Sequence, residues 1–465
     1  MHLLEGWEIE TLPVRDPIYN FIEIPREFIS LIDSEIFQRL RWISQTPLEQ
    51  LVYPSVAHSR FEHSLGTMYL AMIAAVSLIR NSPARLEAIL KEDDAFRSLS
   101  PKERERQFIL SAGAIGLLHD LGHPPFSHAL EEACEYIFED EKHFYNHEIV
   151  SYYYARILLR QKKVKTTPWG EKALSVLKNK KSKEKIKLSP VENLLLTLID
   201  GPIDVDKGDY LLRDSYHCGT TYGLYDRDRL WRNIIITKDN QLGVHPKGAV
   251  EAWALRIARY RLGTGVYQHH TRNIIDAMLI DILCGIEKEC LPLIIPDYRK
   301  KEKFLGWTEH TFLNALMEAG DSRTRRKVER LRKRELYKRG FEINLIEFPE
   351  LLIKETVTQV KRDLLFWKDS LSSRVKDKII FLVDRIPIPP VFEKEVQKEI
   401  IVEENGNEKP LAEYLGFKLE ETQIVSCPWR IFIFVDKDLK DNKEILEGIE
   451  KDLREYLEKI SKPLS

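Results

Sequence analysis

The sequence predicts a mainly α-helical protein with a helical core and a smaller α+β region at its C-terminal end. Two long apolar segments, residues 61–80 and 107–120, have the length and hydrophobic content of buried helices. After about residue 295 the pattern changes, and short runs rich in β-branched and aromatic residues indicate strands. We therefore expect a helical unit over residues 1–295 and an α+β region over residues 296–465.

Helices are expected to follow one another through the first third of the chain. Residues 34–45 place apolar side chains at helical spacing, which predicts a helix. The segment 61–80 is apolar on nearly every side and should be buried. The helix over 107–120 must stop before Pro124-Pro125, because proline cannot continue a helix. A new helix is expected from about residue 126 to 138.

A polar, lysine-rich stretch over residues 161–188 is interpreted as a surface insertion. Ser189-Pro190-Val191-Glu192 then combines a capping box with proline at the first helical position, so a helix should start there and reach Asp200. Another helix should begin near Asp204, and residues 248–290 continue the helical pattern.

The C-terminal region is expected to hold strands at Lys378–Val383 and Arg430–Val435. Residues 323–339 contain ten basic residues against two glutamates. This basic stretch could bind phosphates or acidic partners, but a solvated helix face is the favoured interpretation.

The overall composition gives no reason to expect nucleic acid or membrane as a partner. Lys and Arg total 71 and Asp and Glu total 73, so the net charge is near zero. No uncharged apolar run reaches the ~20 residues that a membrane span requires. Residues 1–20 lack a basic region followed by an apolar run, and five scattered cysteines form no CxxC pair. We therefore expect a cytoplasmic protein with reduced thiols.

Most of the chemistry-bearing residues lie in four short segments. Seven of the thirteen histidines fall between positions 58 and 147. His119-Asp120 ends an otherwise apolar helix, where an unpaired charge is costly to bury. Imidazole and carboxylate are both ligands of divalent first-row metals, so a bound cation would remove that cost. Two more ligands must come from elsewhere, and His63 and Asp206 suit that role.

The strings HSRFEHSLG (58–66), HDLGHPPFSHALE (119–131) and DVDKGDYLLRD (204–214) resemble the HD phosphohydrolases. More narrowly, they resemble the deoxynucleoside triphosphate triphosphohydrolase branch of that superfamily. The resemblance runs from about Asp16 to Asp281. It implies a helical HD fold in which water attacks the α-phosphorus of a dNTP and releases deoxynucleoside and triphosphate.

The resemblance also implies roles for individual residues. One divalent metal would be held by His63, His119, Asp120 and Asp206. The residues matching the family's catalytic group are His128, the pair that orients it (His147 and Glu131), and His123. Those matching its phosphate-binding residues are Arg60, Lys207 and Arg259. The sugar site would be lined by Tyr210 and Tyr267, and the 3′-hydroxyl would be read by Gln45 and Asp214.

Regulation is less well defined by the same resemblance. Asp33, Gln38 and Arg41 match guanine-contacting positions of a nucleotide effector site in a eukaryotic relative, but they could equally brace helices. The preceding segment, residues 12–15, departs from that relative's pattern, and His270 stands where it has a lysine. The resemblance further implies a homodimer or homotetramer.

Two other functions stay open at this point. One is an HD phosphodiesterase or 5′-nucleotidase acting on monophosphates or cyclic nucleotides; the cations expected to bind a triphosphate speak against it. The other is a nucleotide-sensing or nucleic-acid-binding module without catalysis, which the intact set of matched residues disfavours. Two histidines and two carboxylates suit Mn, Fe, Ni, Co, Zn or Mg, so the metal is not identified. Base preference is not readable either.

Overall fold

The computed structural model describes residues 4–138, 145–180, 187–352, 354–393, 395–417 and 429–462. The fold is mainly helical, as the sequence predicts. The helices of the first half are α1 (Arg26–Ile32), α2 (Glu35–Gln38), α3 (Arg60–Asn81), α4 (Pro83–Glu92), α5 (Pro101–Leu118), α6 (Ser127–Ile137), α7 (His147–Gln161), α8 (Pro168–Lys180), α9 (Pro190–Ile199), α10 (Val205–Cys218) and α11 (Arg227–Trp231).

The remaining elements alternate between helices and short strands. The helices are α12 (Pro246–Leu262), α13 (His270–Cys284), α14 (Leu291–Ile294), α15 (Lys301–Leu305), α16 (Glu309–Ala319), α17 (Ser322–Arg332), α18 (Lys354–Ser370), α19 (Ser373–Lys376), α20 (Leu411–Tyr414), α21 (Lys437–Lys440) and α22 (Lys443–Ser461). The strands are β1 (Thr11–Asp16), β2 (Asn20–Pro25), β3 (Ile234–Ile236), β4 (Leu242–Val244), β5 (Lys338–Asn344), β6 (Ile379–Arg385), β7 (Ile401–Glu404), β8 (Asn407–Pro410) and β9 (Trp429–Val435).

The two apolar helices α3 and α5 pack against each other at the centre of the core. Both are buried along most of their length, as the sequence predicts. Their backbones approach closely at Gly116, where a Cβ would lie 2.8 Å from the carbonyl oxygen of Thr67. This close packing brings the first turns of α3 beside the end of α5. By length and composition α3 could cross a membrane, but 83% of its apolar window is buried inside the protein.

The prediction of a surface insertion over residues 161–188 is wrong for its described part. Helix α8 lies within this stretch and packs on α5 with a buried face that includes Trp169, Ala173 and Leu177. The apolar residues of this face recur at helical spacing, but the surrounding lysines mask the pattern. Residues 181–186 lie outside the described residues.

The helix expected over residues 34–45 is shorter than the apolar spacing indicated. Helix α2 ends at Gln38, and a 3₁₀ turn continues to Trp42. Ile43 is extended, and Ser44 forms a β-bridge with Ser59 instead of another helical turn. The capping prediction at Ser189 is confirmed, because both hydrogen bonds of the capping box are present.

The strands form three small sheets within the described residues. β1 and β2 make an antiparallel hairpin, and β9 lies between β5 and β6. The strands predicted near 378–383 and 430–435 are confirmed as β6 and β9. A third sheet has the order β3-β4-β7-β8 and joins residues 234–244 to residues 401–410.

The basic stretch 323–339 forms most of α17 and enters β5. Val328 and Leu331 are buried, while the basic side chains lie mainly on the other faces. The structure therefore agrees with a largely solvated helix face.

Candidate active site

Four side chains from three helices converge at the junction of α3, α5 and α10. His63 Nε2 lies 2.9 Å from Asp206 Oδ1 and 3.7 Å from Asp120 Oδ2. His119 Nε2 lies 3.2 Å from Asp120 Oδ1 and 3.5 Å from Asp206 Oδ1. His63, His119 and Asp120 are buried. The structure thus brings together the four positions that the sequence singled out as metal ligands.

The two ring nitrogens facing this cluster have the character of ligand atoms. Nε2 of His63 and Nε2 of His119 are buried, and neither makes a hydrogen bond within the described residues. His119 Nδ1 lies 2.8 Å from the carbonyl oxygen of Gly116, to which it donates, so its lone pair is on Nε2. His63, His119 and Asp120 offer ligand atoms within 4.8 Å of one another, and Asp206 Oδ1 lies 2.9 Å from His63 Nε2. These two imidazoles and two carboxylates form a donor set that fits a divalent cation.

Outer contacts hold His63 in the same ligand tautomer. His63 Nδ1 lies 2.8 Å from Asp209 Oδ2, and Asp209 also accepts two 2.9 Å hydrogen bonds from Arg213. Arg213 in turn donates to Asp16 at 2.8 Å. Such outer carboxylates fix the ring orientation of a ligand histidine and increase its basicity. A Cβ on Gly66 would overlap with Asp209, so glycine is required there for this approach.

The carboxylates of the cluster favour a bound positive charge. Burial lowers the pKa of His63, but the neighbouring carboxylates of Asp206 and Asp209 outweigh it and raise that pKa to about 10. Burial raises the pKa of Asp206, yet His119 and His63 hold it well below its usual range. A cation bound here would displace the proton from His63, so metal binding is expected to release protons.

A group of three histidines lies beside the cluster, on α6 and α7 and in the turn before α6. The rings of His123 and His147 stack at 4.0 Å, and His128 approaches both edge-on at 5.3 Å. Glu131 accepts from His128 Nδ1 at 3.0 Å and from His147 Nδ1 at 2.9 Å. His123 Nε2 lies 3.2 Å from Asp120 Oδ1, which links this group to the metal cluster.

These histidines differ in exposure and protonation. Burial lowers the pKa of His123 well below its usual range, so this ring is neutral. Burial also lowers the pKa of His147, but the charge of Glu131 outweighs it and raises the pKa. His128 has 70% of its side chain exposed and is the ring that can reach a substrate. The turn before it is strained, since Phe126 and Ser127 have φ of 59° and 45°.

Basic side chains border the cluster, and each of them is paired with a carboxylate, which for Arg60 belongs to the cluster itself. Arg60 contacts Asp120, and Lys207 contacts Asp204 and the carbonyl oxygen of Gly201. Arg259 Nη1 lies 4.0 Å from Glu393 Oε1. All three predicted phosphate-binding cations therefore face carboxylates.

A cavity of about 380 Å³ lies next to the cluster and is lined by Tyr210, Arg259 and Tyr267. The ring of Tyr210 lies 6.4 Å from that of His63 and 6.3 Å from that of Tyr267. Asp214 accepts hydrogen bonds from Tyr267 at 2.6 Å and interacts with His58 Nε2 at 2.7 Å. Gln45, the remaining residue predicted for the sugar site, lies beside Arg60, whose guanidinium is 3.4 Å from the backbone carbonyl oxygen of Gln45. The side-chain oxygen of Gln45 is buried and has no hydrogen-bond partner among the described residues.

Lys180 is a site residue that the sequence reasoning missed. It ends α8, has 11% of its side chain exposed, and lies 3.8 Å from Glu148 Oε1. Burial lowers its pKa, but Asp206, Asp200 and Glu148 outweigh that effect and raise the pKa. The ammonium group therefore lies within electrostatic reach of the metal cluster. The wrong assignment of 161–188 to a surface insertion concealed it.

Arg39 is a second missed residue. Its guanidinium donates to the carbonyl oxygens of His123, Phe304 and Trp307 at 2.8–2.9 Å. It thus fixes the backbone of the turn that carries His123. A buried arginine whose three nitrogens all donate to backbone carbonyls is a positioning element, and no periodic pattern in the sequence indicates it.

The three predicted effector positions lie together on the surface. Arg41 Nε donates to Gln38 Oε1 at 2.8 Å, and the Arg41 guanidinium stacks over Phe61 at 3.6 Å. Gln38 donates to the carbonyl oxygen of Ile32 at 2.8 Å, and Asp33 caps α1. These contacts brace the α1–α2 region, and Asp33 and Arg41 are exposed.

Comparison with known proteins places this geometry in a family. The HD domain model matches residues 60–201, and the HD associated region model matches residues 225–442. An uncharacterized protein of Methanocaldococcus jannaschii is 30% identical over 462 residues, which cover 97% of this chain and 84% of that protein. The chain belongs to the HD-domain family. It is accordingly an HD-domain phosphohydrolase, and HD domains bind divalent metals.

More distant HD-domain relatives have named activities. The deoxynucleoside triphosphate triphosphohydrolase SAMHD1 of Homo sapiens is 30% identical over 301 residues, 59% of this chain and 44% of that protein. The SAMHD1 homolog of Dictyostelium discoideum is 28% identical over 329 residues, 70% of this chain and 59% of that protein. The chain thus spans about half the length of these relatives. A hypothetical protein from Aquifex aeolicus, 24% identical, shares the fold with a TM-score of 0.62 over 95% of this chain and 100% of that one.

Proposed function

We propose that this HD-domain protein hydrolyses deoxynucleoside triphosphates at the α-phosphate, giving deoxynucleoside and triphosphate. The observation that carries the proposal is the adjacency of three features: the His63–His119–Asp120–Asp206 cluster, the Tyr210–Tyr267 cavity and the surrounding cations. A nucleoside in that cavity would direct its phosphates toward the cluster. The named activity of the SAMHD1 relatives supports the same substrate class.

The cluster residues would hold one divalent cation, which supplies Lewis-acid polarisation of the α-phosphate. His128 is exposed at the edge of the cluster and can donate a proton to the departing 5′ oxygen. Because Glu131 accepts from its Nδ1, transfer to the substrate would occur from Nε2, which carries a proton in the imidazolium form of the ring. His147 shares Glu131 and holds the carboxylate in place.

Binding of a triphosphate requires cations that can leave their present partners. Arg60, Lys180, Lys207 and Arg259 all face carboxylates around the cluster. A nucleoside triphosphate with close to four negative charges attracts these groups more strongly than one carboxylate does, with bidentate contacts from the arginines and point-charge contacts from the lysines. We propose that these four side chains exchange their carboxylate partners for phosphates when the substrate binds. The divalent metal ion would then shield the carboxylates that have lost their partners.

The sugar would contact the aromatic side chains of the cavity. Tyr267 donates to Asp214, which fixes a carboxylate able to accept from a 3′-hydroxyl. The ring of Tyr210 lies 6.4 Å from that of the ligand candidate His63 and 6.3 Å from that of Tyr267. We propose that its bulk disfavours a 2′-hydroxyl and that Gln45 completes the sugar contacts.

Some features of the proposal concern the whole protein. We propose a homodimer or homotetramer in the cytoplasm, with 1–295 carrying catalysis. A nucleotide effector would bind at Asp33, Gln38 and Arg41, because Asp33 and Arg41 are exposed and Arg41 donates to Gln38.

The decisive experiment is product analysis by chromatography. The protein is incubated with each dNTP, singly and in a mixture, with Mn, Fe, Ni, Co, Zn or Mg. Triphosphate and deoxynucleoside are expected, and Asp206→Asn should abolish their formation while the exposed control Asp239→Asn should not. Pyrophosphate as the product would overturn the proposal. Preferential hydrolysis of monophosphates or cyclic nucleotides would assign the protein to phosphodiesterases or 5′-nucleotidases.

A further inference from the structure

A second large cavity, of about 720 Å³, lies between α6, α13, α17 and α18 and contains none of the active-site residues. It is lined at one end by Tyr136 and Ile137, at the far end of the helix that starts with His128. Eight residues at 1.5 Å per residue separate His128 from Tyr136, about 12 Å along the helix axis. The cavity has the size of a small-molecule site, for which roughly 300–1,000 Å³ is typical.

The charges that line this cavity are predominantly positive. The basic lining residues are Lys288, Arg323, Lys327, Arg362, Lys368 and Lys376, whereas the acidic ones are Asp281 and Asp369. The excess of cations in a concave surface focuses a positive potential into the cavity. An anion of several charges is therefore the ligand class that this lining favours.

The floor of the cavity holds more positive than negative charge. Lys327 Nζ lies 2.6 Å from Asp281 Oδ2, and Lys368 contacts the other oxygen of the same carboxylate. Only 6% of Lys368 is exposed. Burial raises the pKa of Asp281, but the two lysines outweigh it and lower that pKa. Two ammonium groups thus share one carboxylate, which leaves a net positive charge in a poorly solvated place.

The rim supplies cations held only by exposed partners. Lys376 lies 2.7 Å from Asp369, whose side chain is 67% exposed, and Arg323 contacts the 56% exposed Asp377. Exposed ion pairs of this kind contribute little to stability, so a phosphate can replace the carboxylate at little cost. Lys288 is exposed at the same rim.

An aromatic side chain completes the cavity wall. Phe366 lines it with 69% of its surface exposed, although the face of α18 that carries Leu364 and Trp367 is buried. A large exposed ring beside a cationic surface is the arrangement on which nucleobases stack.

We propose that this cavity binds a nucleoside polyphosphate, with the phosphates on the lysines of the floor and rim and the base on Phe366. The site is separate from the catalytic cluster and from Asp33, Gln38 and Arg41. A ligand here contacts the end of α6, the helix that carries His128 and Glu131. The proposal does not depend on which reaction the active site catalyses.

Lysine acetylation read by mass spectrometry tests the site directly. The full-length protein is treated with acetylating reagent in EDTA, alone or with ATP, dATP or inorganic triphosphate. ATP or dATP is expected to protect Lys288 and Lys376, and to leave the exposed lysines Lys91 and Lys102 unchanged. Absence of protection by either nucleotide, or protection by single-stranded DNA alone, would overturn the proposal. Turnover is not measured, so this outcome is independent of the proposed function.

Two sets of variants identify the contacts. Lys288→Ala/Lys376→Ala should weaken nucleotide binding about tenfold in calorimetry, since two charge-assisted contacts are lost. The matched double variant Lys91→Ala/Lys102→Ala should bind as the parent does. Phe366→Ala should weaken ATP binding and leave triphosphate binding unchanged. Equal protection by triphosphate and ATP, with no effect of Phe366→Ala, would overturn the nucleoside assignment.

Discussion

His63 Nδ1 lies 2.8 Å from Asp209 Oδ2, and this contact joins a candidate metal ligand to a buried ion pair with Arg213. The contact turns the lone pair of Nε2 toward Asp120 and Asp206. Asp209 is not itself a candidate ligand, yet it sets the orientation of one. Four expectations follow from this and from other contacts described above.

Asp209→Asn should reduce divalent-metal affinity about 10–100-fold, the usual cost of losing an outer carboxylate partner of a ligand histidine. The amide oxygen of asparagine can still accept a hydrogen bond from His63. It carries no negative charge, however, so it neither increases the basicity of the His63 ring nor neutralises Arg213. Metal affinity is measured by competition with a chelating dye. Asp239→Asn is the matched control on an exposed carboxylate and should change affinity little. Unaltered affinity in Asp209→Asn would contradict the role assigned to this contact.

Gly66→Ala should destabilise the protein by roughly 1–3 kcal/mol, because its Cβ would overlap with Asp209 and Arg213. Displacement of Asp209 should also weaken metal binding. Chemical denaturation without metal measures the first effect and a metal titration the second. Gly448→Ala in α22 is the control, since a Cβ there meets nothing within 4 Å. This substitution should increase the free energy of unfolding by about 0.5–1 kcal/mol, because alanine is favoured over glycine within a helix. Equal stability and equal metal affinity of the Gly66→Ala and Gly448→Ala variants would contradict the requirement for glycine at position 66.

Lys180→Met should raise the KM for a triphosphate substrate about tenfold and change kcat less, since the ammonium is assigned to binding of phosphates. Methionine keeps much of the apolar stem, so packing of α8 should persist. Lys178→Met, on the same helix but exposed, is the control. Steady-state kinetics with each dNTP separate the two parameters. An equal fall in kcat and kcat/KM would instead indicate a contact made only in the transition state.

Asp384 gives the protein a stability that depends on pH. Burial, assisted by the charge of Glu132, raises its pKa to about 7 in the folded state. The unfolded carboxyl titrates near its ordinary value of about 3.9, so between these values the folded state binds more protons. The free energy of unfolding should therefore decrease as pH rises from about 4 to 7.

Asp384→Asn should remove this decrease and stabilise the protein at pH 8 by roughly 2–4 kcal/mol. Urea denaturation at pH 5 and pH 8 checks the difference. Asp441→Asn is a control on an exposed carboxylate. An equal free energy of unfolding of the parent protein at pH 5 and pH 8 would contradict the prediction, because it would mean that ionisation of Asp384 does not destabilise the folded state.

The mainly helical fold class and the strands β6 and β9 could be predicted from the sequence. They depend on the local spacing of apolar residues and on the prolines and glycines that end each element. The convergence of His63, His119, Asp120 and Asp206 was expected from motif strings rather than from periodicity. Lys180 was missed because its helix has one apolar face among many lysines, and burial of that face depends on α5. The helix ending at Gln38 was overextended, since the bridge between Ser44 and Ser59 is a long-range contact.

The β3-β4-β7-β8 sheet closes the edge of β4 with a strand from far along the chain. Arg85 reinforces this junction by contacting Glu403 at 2.6 Å, and Lys238 donates its backbone amide to Glu408 at 2.7 Å. Cleavage of the chain between residues 295 and 400 should therefore leave two fragments that stay associated. Deleting the second fragment would expose an unpaired strand edge, a surface prone to aggregation.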